Sequence, residues 1–76
     1  MKTLSINVGE VWKYENNDSY YVVGLILEIH QSGGLRNASV IILDSSSEVR
    51  TALKREHWQF PEAADYAEVV GYLRLS

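Results

Sequence analysis

At 76 residues with no cysteine, the chain can build one hydrophobic core and no disulfide or thiolate metal site, and a domain this short buries only about 60 to 65% of its unfolded surface. Its 46% hydrophobic and 22% charged residues exclude intrinsic disorder, and no apolar stretch approaches the roughly 18 residues of a membrane span. Ten acidic against seven basic side chains give a net charge of −3, which opposes a nucleic-acid backbone at long range but leaves room for a local basic patch.

Met1 to Val8 carries one Lys and no continuous apolar segment, so no signal peptide is expected and a cytoplasmic location is the default. Leu4, Ile6 and Val8 alternate with Ser5 and Asn7 as an extended lead-in with one face on the core, interrupted at Gly9. Alternation resumes at Val11, with Trp12 and Tyr14 on one side and Val11 and Lys13 on the other. Glu15 to Ser19 is a turn rich in Asn and Asp.

Tyr20 to His30 is the longest apolar run, rich in β-branched and aromatic residues, and reads as the central strand. At period two, Tyr21, Val23, Leu25, Leu27 and Ile29 form a wholly apolar face. The other face begins apolar and turns polar at Glu28 and His30, so the first half is expected to be covered on both sides and the second half to emerge into water. Gly24 is the expected bend or bulge.

Gln31 to Asn37 reads as a flexible polar loop, Ala38 to Asp44 as a strand apolar on both faces, and Ser45 to Ser47 as a turn. Residues 48–55 fit a strand, with Val49, Thr51 and Leu53 alternating with Arg50, Ala52 and Lys54, or a short helix capped by Ser47. A connection from Glu56 to Phe60 leads to a short helix or 3₁₀ turn over Pro61 to Ala67, opened by the proline. Glu68 to Ser76 reads as the closing strand, with Val69, Gly71, Leu73 and Leu75 on one face. The loops are too short for parallel crossovers. The expected fold is therefore all-β, a single domain over residues 1–76 forming a small antiparallel barrel of five to six strands with one short helical turn before the last.

This pattern resembles the SH3-like small barrels. The resemblance is carried by the Gly9-Glu10-Val11-Trp12-Lys13-Tyr14 opening, the long bent second strand, the apolar third strand, and the helical turn before a last strand with Val69, Val70 and Gly71. It implies a binding module, although the acidic loop and the Ala-Leu-Tyr-Asp-type opening of the signalling SH3 domains are missing.

Chemistry-bearing residues are sparse. His30 and His57 lack ligand spacing, Ser45 to Ser47 have no glycine elbow, and the carboxylates are dispersed, so neither an enzyme nor a metal or other cofactor is expected. Two clusters stand out. Arg50, Lys54, Arg55, His57, Trp58 and Phe60 join three of the seven Lys and Arg side chains to two large aromatics, which suits an acidic partner or a nucleotide or single-stranded nucleic acid. The alternative is that Trp58 and Phe60 plug the barrel end and the cations are solvated. A second group comprises Trp12, Tyr14, Tyr20 and Tyr72, with Trp12 expected to be mainly buried and Tyr14 and Tyr20 at least half exposed.

The expected function is a non-catalytic protein-binding module, a small accessory, adaptor or inhibitor protein, docking through Tyr14, Tyr20, Arg50, Lys54, Arg55, His57 and Trp58. The chain's size and Met start read as a whole small gene product of the kind phages and mobile elements encode. Nucleotide or single-stranded nucleic-acid binding is the alternative. A homo-oligomer is a further expectation, resting on an outer face of Val22, Ile26, Ile41 and Leu43.

Overall fold

The computed structural model describes residues 2–16, 19–32, 35–46 and 54–76, the side chains of Ser32 and Leu35 excepted. Among these residues, five strands, β1 (Val11–Glu15), β2 (Tyr21–Ser32), β3 (Leu35–Ser45), β4 (Arg55–Phe60) and β5 (Tyr72–Arg74), and one helix, α1 (Ala64–Val70), follow along the chain. The strands form one sheet in the order β4-β3-β2-β1-β5, antiparallel at every pairing. At this coarse level the architecture is compatible with the SH3-like resemblance.

β2 is the central strand, as its run of β-branched residues predicts, but its faces differ from expectation. Val22, Gly24 and Ile26 are buried, while Tyr21, Val23 and Leu25 opposite them are only partly covered. Two bulges explain how the polar residues beyond Ile26 leave the core. The pairs Val23↔Asp44 and Gly24↔Ile42 leave Leu43 unpaired, and Ile26↔Val40 and Glu28↔Ser39 leave Leu27 unpaired. The extra residue at Leu27 reverses the alternation, so Ile29 rather than Glu28 turns to the core. Gly24 lies beside the first bulge, and it also seats a neighbour: a Cβ there would come 3.0 Å from the Trp58 indole. Val22 and Ile26 are core residues, so the outer face expected to carry a homo-oligomer keeps only Ile41 and Leu43 of its four members.

The core gathers Leu4, Ile6, Trp12, Val22, Ile26, Ala38, Val40, Ile42, Trp58, Phe60 and Ala67, with no buried polar or charged residue among those described. Trp12, 4% exposed, is buried as expected and meets Phe60 edge to face at 5.3 Å. Leu4 and Ile6 face this core, whereas Val8 leaves it in the turn at Gly9.

Several segments depart from the sequence reading. Arg55–Phe60 is a strand rather than a connection: Trp58 and Phe60 turn inward between exposed Arg55, His57 and Gln59, a period of two. Of the 48–55 segment only Lys54 and Arg55 lie among the described residues, so the strand-or-helix alternative for the rest falls outside them. Most of the expected Gln31–Asn37 loop is strand, because β2 and β3 continue as a long hairpin pairing Gln31 with Arg36 and His30 with Asn37.

The helix begins at Ala64, three residues beyond Pro61. The lead-in explains the delay. Thr3 bridges to Ala63, the Leu4 N–H donates to the Glu62 carbonyl, and the Ala64 N–H donates to the Lys2 carbonyl. Arg36 fastens the same junction, its guanidinium donating to the carbonyls of Leu4, Pro61 and Glu62. α1 then runs on through Val70, so Val69, read as strand, is helical and 80% exposed. Gly71, at φ +114°, ends the helix, its N–H donating to the Ala67 and Glu68 carbonyls.

The longer helix leaves β5 only three residues, which pair with β1 and not with β4. The expected barrel is therefore an open sheet, with β4 and β5 as its two edges. A hydrogen bond crosses between them, from the Tyr72 hydroxyl to the Gln59 carbonyl at 3.1 Å.

Candidate functional site

The two edges meet around an aromatic cleft. Pairing of Tyr14 with both Val22 and Tyr72 sets one residue from each of β2, β1 and β5 in a row on the inner face. The Tyr14 and Tyr72 rings lie 5.2 Å apart. From the opposite edge β4 contributes Trp58 and Phe60, whose rings stand 6.2 and 4.7 Å from Tyr72. Tyr14, Val22, His57, Trp58, Gln59 and Tyr72 enclose about 350 Å³ that opens to solvent. The spacings are those of favourable tilted aromatic pairs.

Both tryptophans are anchored in the same way. The Trp58 Nε1–H donates to the Glu56 carboxylate at 3.2 Å, and the Trp12 Nε1–H to the Glu10 carboxylate at 3.1 Å. In each case the acceptor lies two residues earlier on the same side of the chain, so each indole gains its partner without leaving the core. Burial pushes the Glu10 carboxyl up, but hydrogen bonds from Trp12, from the Asn7 backbone and side chain, and from Arg74 outweigh it and hold the group below the ordinary carboxylate range.

Charge is uneven around the cleft. Lys13 pairs with Glu15, Arg74 with Glu10, and Arg36 is spent on carbonyls. Lys54, Arg55 and His57 are exposed on β4 and the residue before it, with no acidic partner among the described residues.

Of the residues expected to form the docking surface, Tyr14, His57 and Trp58 line the cleft. Lys54 and Arg55 lie at the start of the same edge, and Arg50 falls outside the described residues. Tyr20 precedes β2, packs against the core, and donates its backbone N–H to the Asn16 side chain. Tyr14 and Tyr20, expected to be at least half exposed, are both partly buried because the curled sheet folds their rings toward the core. Trp58 is 6% exposed and Phe60 fully buried, so both are core residues, and only the rim of the Trp58 indole reaches the cleft.

Gln59 and Val22 lie outside the residues expected at the site, and Tyr72 is expected only as a member of the aromatic group with Tyr14. Tyr72 is the link between the two clusters that the sequence shows as separate, and its signal was the pairing of Tyr72 with Tyr14. His30 sits away from the cleft, 3.2 Å from Glu28. Among the described residues no three His, Asp or Glu side chains converge as metal ligands, and no helix is long and apolar enough to cross a membrane.

No protein-family model, curated protein or solved structure matches this chain.

Proposed function

We propose that the chain is a non-catalytic protein-binding module, a small accessory, adaptor or inhibitor protein, that grips its partner through the cleft and the cationic edge beside it. The observation that carries this reading is the convergence of Tyr14, Tyr72 and the rim of Trp58 on one open cleft next to Lys54, Arg55 and His57. Aromatic side chains with polar tips supply large contact area at low entropic cost, and neighbouring cations add orientation and association rate. The same reading takes the sheet as an SH3-like barrel left open at the β4 and β5 seam, acting in the cytoplasm and of the kind phages encode.

Nucleotide or single-stranded nucleic-acid binding ranks second. The exposed cations favour it, but stacking needs an open ring face, and Trp58 and Phe60 are buried.

The test is affinity capture from a lysate of the source organism with the wild-type chain and three variants. Loss of the captured protein with Tyr14→Ser and His57→Glu, and its retention with Glu28→Gln away from the cleft, is the expected result. Capture of the same protein by all four chains would remove the cleft from the function.

A further inference from the structure

The edge of β4 carries a second kind of binding group. The Ile42 N–H donates to the Lys54 carbonyl at 2.9 Å, which sets the phase of the β3–β4 ladder. With the observed register, Glu56, Trp58 and Phe60 also turn their backbone groups to β3, opposite Val40, Ala38 and Arg36. Arg55, His57 and Gln59 therefore turn theirs away, into the seam. The Gln59 carbonyl is taken by the Tyr72 hydroxyl. The N–H and C=O groups of Arg55 and His57, and the N–H of Gln59, have no backbone partner among the described residues.

We propose that an acidic, extended segment of a partner protein adds as a strand to this free edge of β4, laying alternate apolar side chains in the aromatic cleft; the inference rests on the protein-binding reading above. An added strand alternates its side chains between the two faces of the sheet. Those on the inner face enter the cleft lined by Trp58, Tyr14 and Tyr72. Those on the outer face stand across from Arg55 and His57, where a carboxylate forms a favourable cross-strand pair. The matching segment therefore alternates apolar or aromatic residues with Asp or Glu.

Two features narrow the occupant. Tyr72 crosses the seam at the Gln59 carbonyl, so the strand has room only from Arg55 up to the Gln59 N–H, and a short segment suffices. Basic residues on an edge strand oppose pairing with an identical edge, which disfavours a second copy of β4 and selects a strand of opposite charge. Main-chain hydrogen bonds then supply affinity and the cleft supplies specificity, as in strand addition generally.

The probe is an acetylated and amidated octapeptide that alternates glutamate and tyrosine, titrated against the full chain by calorimetry, with amide hydrogen exchange read at His57 and Gln59. Binding that slows exchange at both amides is expected. Two N-methylated forms follow, one methylated at every glutamate and one at every tyrosine. Only the form whose methyls face β4 is expected to lose about tenfold or more in affinity, because strand addition uses alternate amides. The Arg55→Glu variant, exposed and outside the core, is expected to weaken the peptide about tenfold and to favour a lysine and tyrosine alternate instead.

Equal affinity for both methylated forms and the parent overturns strand addition while leaving the aromatic docking intact. So does unprotected exchange at His57 and Gln59 in the complex. Absence of binding up to about 1 mM peptide, or tighter binding of an oligothymidylate, overturns the acidic-segment proposal, while the capture experiment above still decides the broader reading.

Discussion

Gly71 joins α1 to β5 and so holds one wall of the cleft in place, which makes Gly71→Ala a sharp test of the fold. Its φ of +114° is a conformation that L side chains rarely adopt, and an added Cβ would stand 2.0 Å from the Glu15 carbonyl oxygen. The left-handed backbone alone costs a non-glycine residue about 1 to 2 kcal/mol. The collision is with backbone, and relieving it means moving β5 off β1 at the point where the Glu15 N–H donates to the Gly71 carbonyl at 3.0 Å. Overpacking of this kind costs about 1 to 3 kcal/mol and the strained hydrogen bond about 1 more, so a total near 3 to 6 kcal/mol is expected.

Gly9 is the control. It also has positive φ, at +92°, but nothing lies within 4 Å of where its Cβ would be. Gly9→Ala should show the backbone cost alone, about 1 to 2 kcal/mol. The assay is urea unfolding followed by tryptophan fluorescence, since both indoles are core residues. For a domain of this size the Gly71→Ala loss corresponds to roughly 12 to 48 °C in Tm. If the two alanine variants differ by less than about 0.5 kcal/mol, which is the ordinary scatter of such comparisons, the crowding at Glu15 is not real and the placement of β5 against β1 is wrong.

Other perturbations probe the remaining supports. Gly24→Ala places a Cβ 3.0 Å from the Trp58 ring and 3.3 Å from the Val40 Cβ, so it should cost about 1 to 2 kcal/mol and shift the Trp58 emission; unchanged stability and emission would show that the indole does not lie on Gly24. Arg36→Met removes the donors to the Leu4, Pro61 and Glu62 carbonyls and should cost about 2 to 3 kcal/mol, with faster hydrogen exchange at Leu4 and Ala64, whereas exchange unchanged at both would remove the clamp. Glu10 has a lowered pKa in the folded chain, so its ionised form stabilises above the unfolded carboxylate value, and that stabilisation is lost as pH falls through the folded value. Glu10→Gln should therefore be less stable than wild type at pH 7, with the gap narrowing as the pH falls below the ordinary glutamate range; a gap that widens on acidification would contradict the assignment.

Local patterning was enough to find β1, β2 and β3. The Trp12 and Tyr14 alternation and the β-branched run from Tyr21 carry period two over lengths that no helix would share. What escaped were features decided by distant residues. The bulges at Leu27 and Leu43 depend on how two strands share a register, so the buried face of β2 could not be chosen from β2 alone. β4 alternates charged or polar residues with Trp58 and Phe60, a pattern masked by the adjacent Pro61. The start of α1 is set by the lead-in and Arg36, residues 25 or more positions away in the chain for the guanidinium contacts.

The candidate site shows the same division. Tyr14, His57 and Trp58 were legible as aromatic and cationic residues with no catalytic partner, yet they fell into two separate groups. Only the pairing of Tyr14 with Tyr72, and the curl that brings Tyr72 to Gln59, makes them one cleft. Arg36 sits in a stretch that the sequence presents as a loop, because nothing in its own neighbourhood announces three carbonyls waiting elsewhere.

Convergence of the two sheet edges is most directly tested by nuclear Overhauser contacts among the aromatic side chains in solution. Cross-peaks from the Tyr72 ring to Trp58 and Phe60 on one side, and to Tyr14 on the other, are predicted by centroid separations of 6.2, 4.7 and 5.2 Å. Contacts from Tyr72 to Tyr14 with none to Trp58 or Phe60 would mean that the edges stand apart, and the cleft with its docking role would fall.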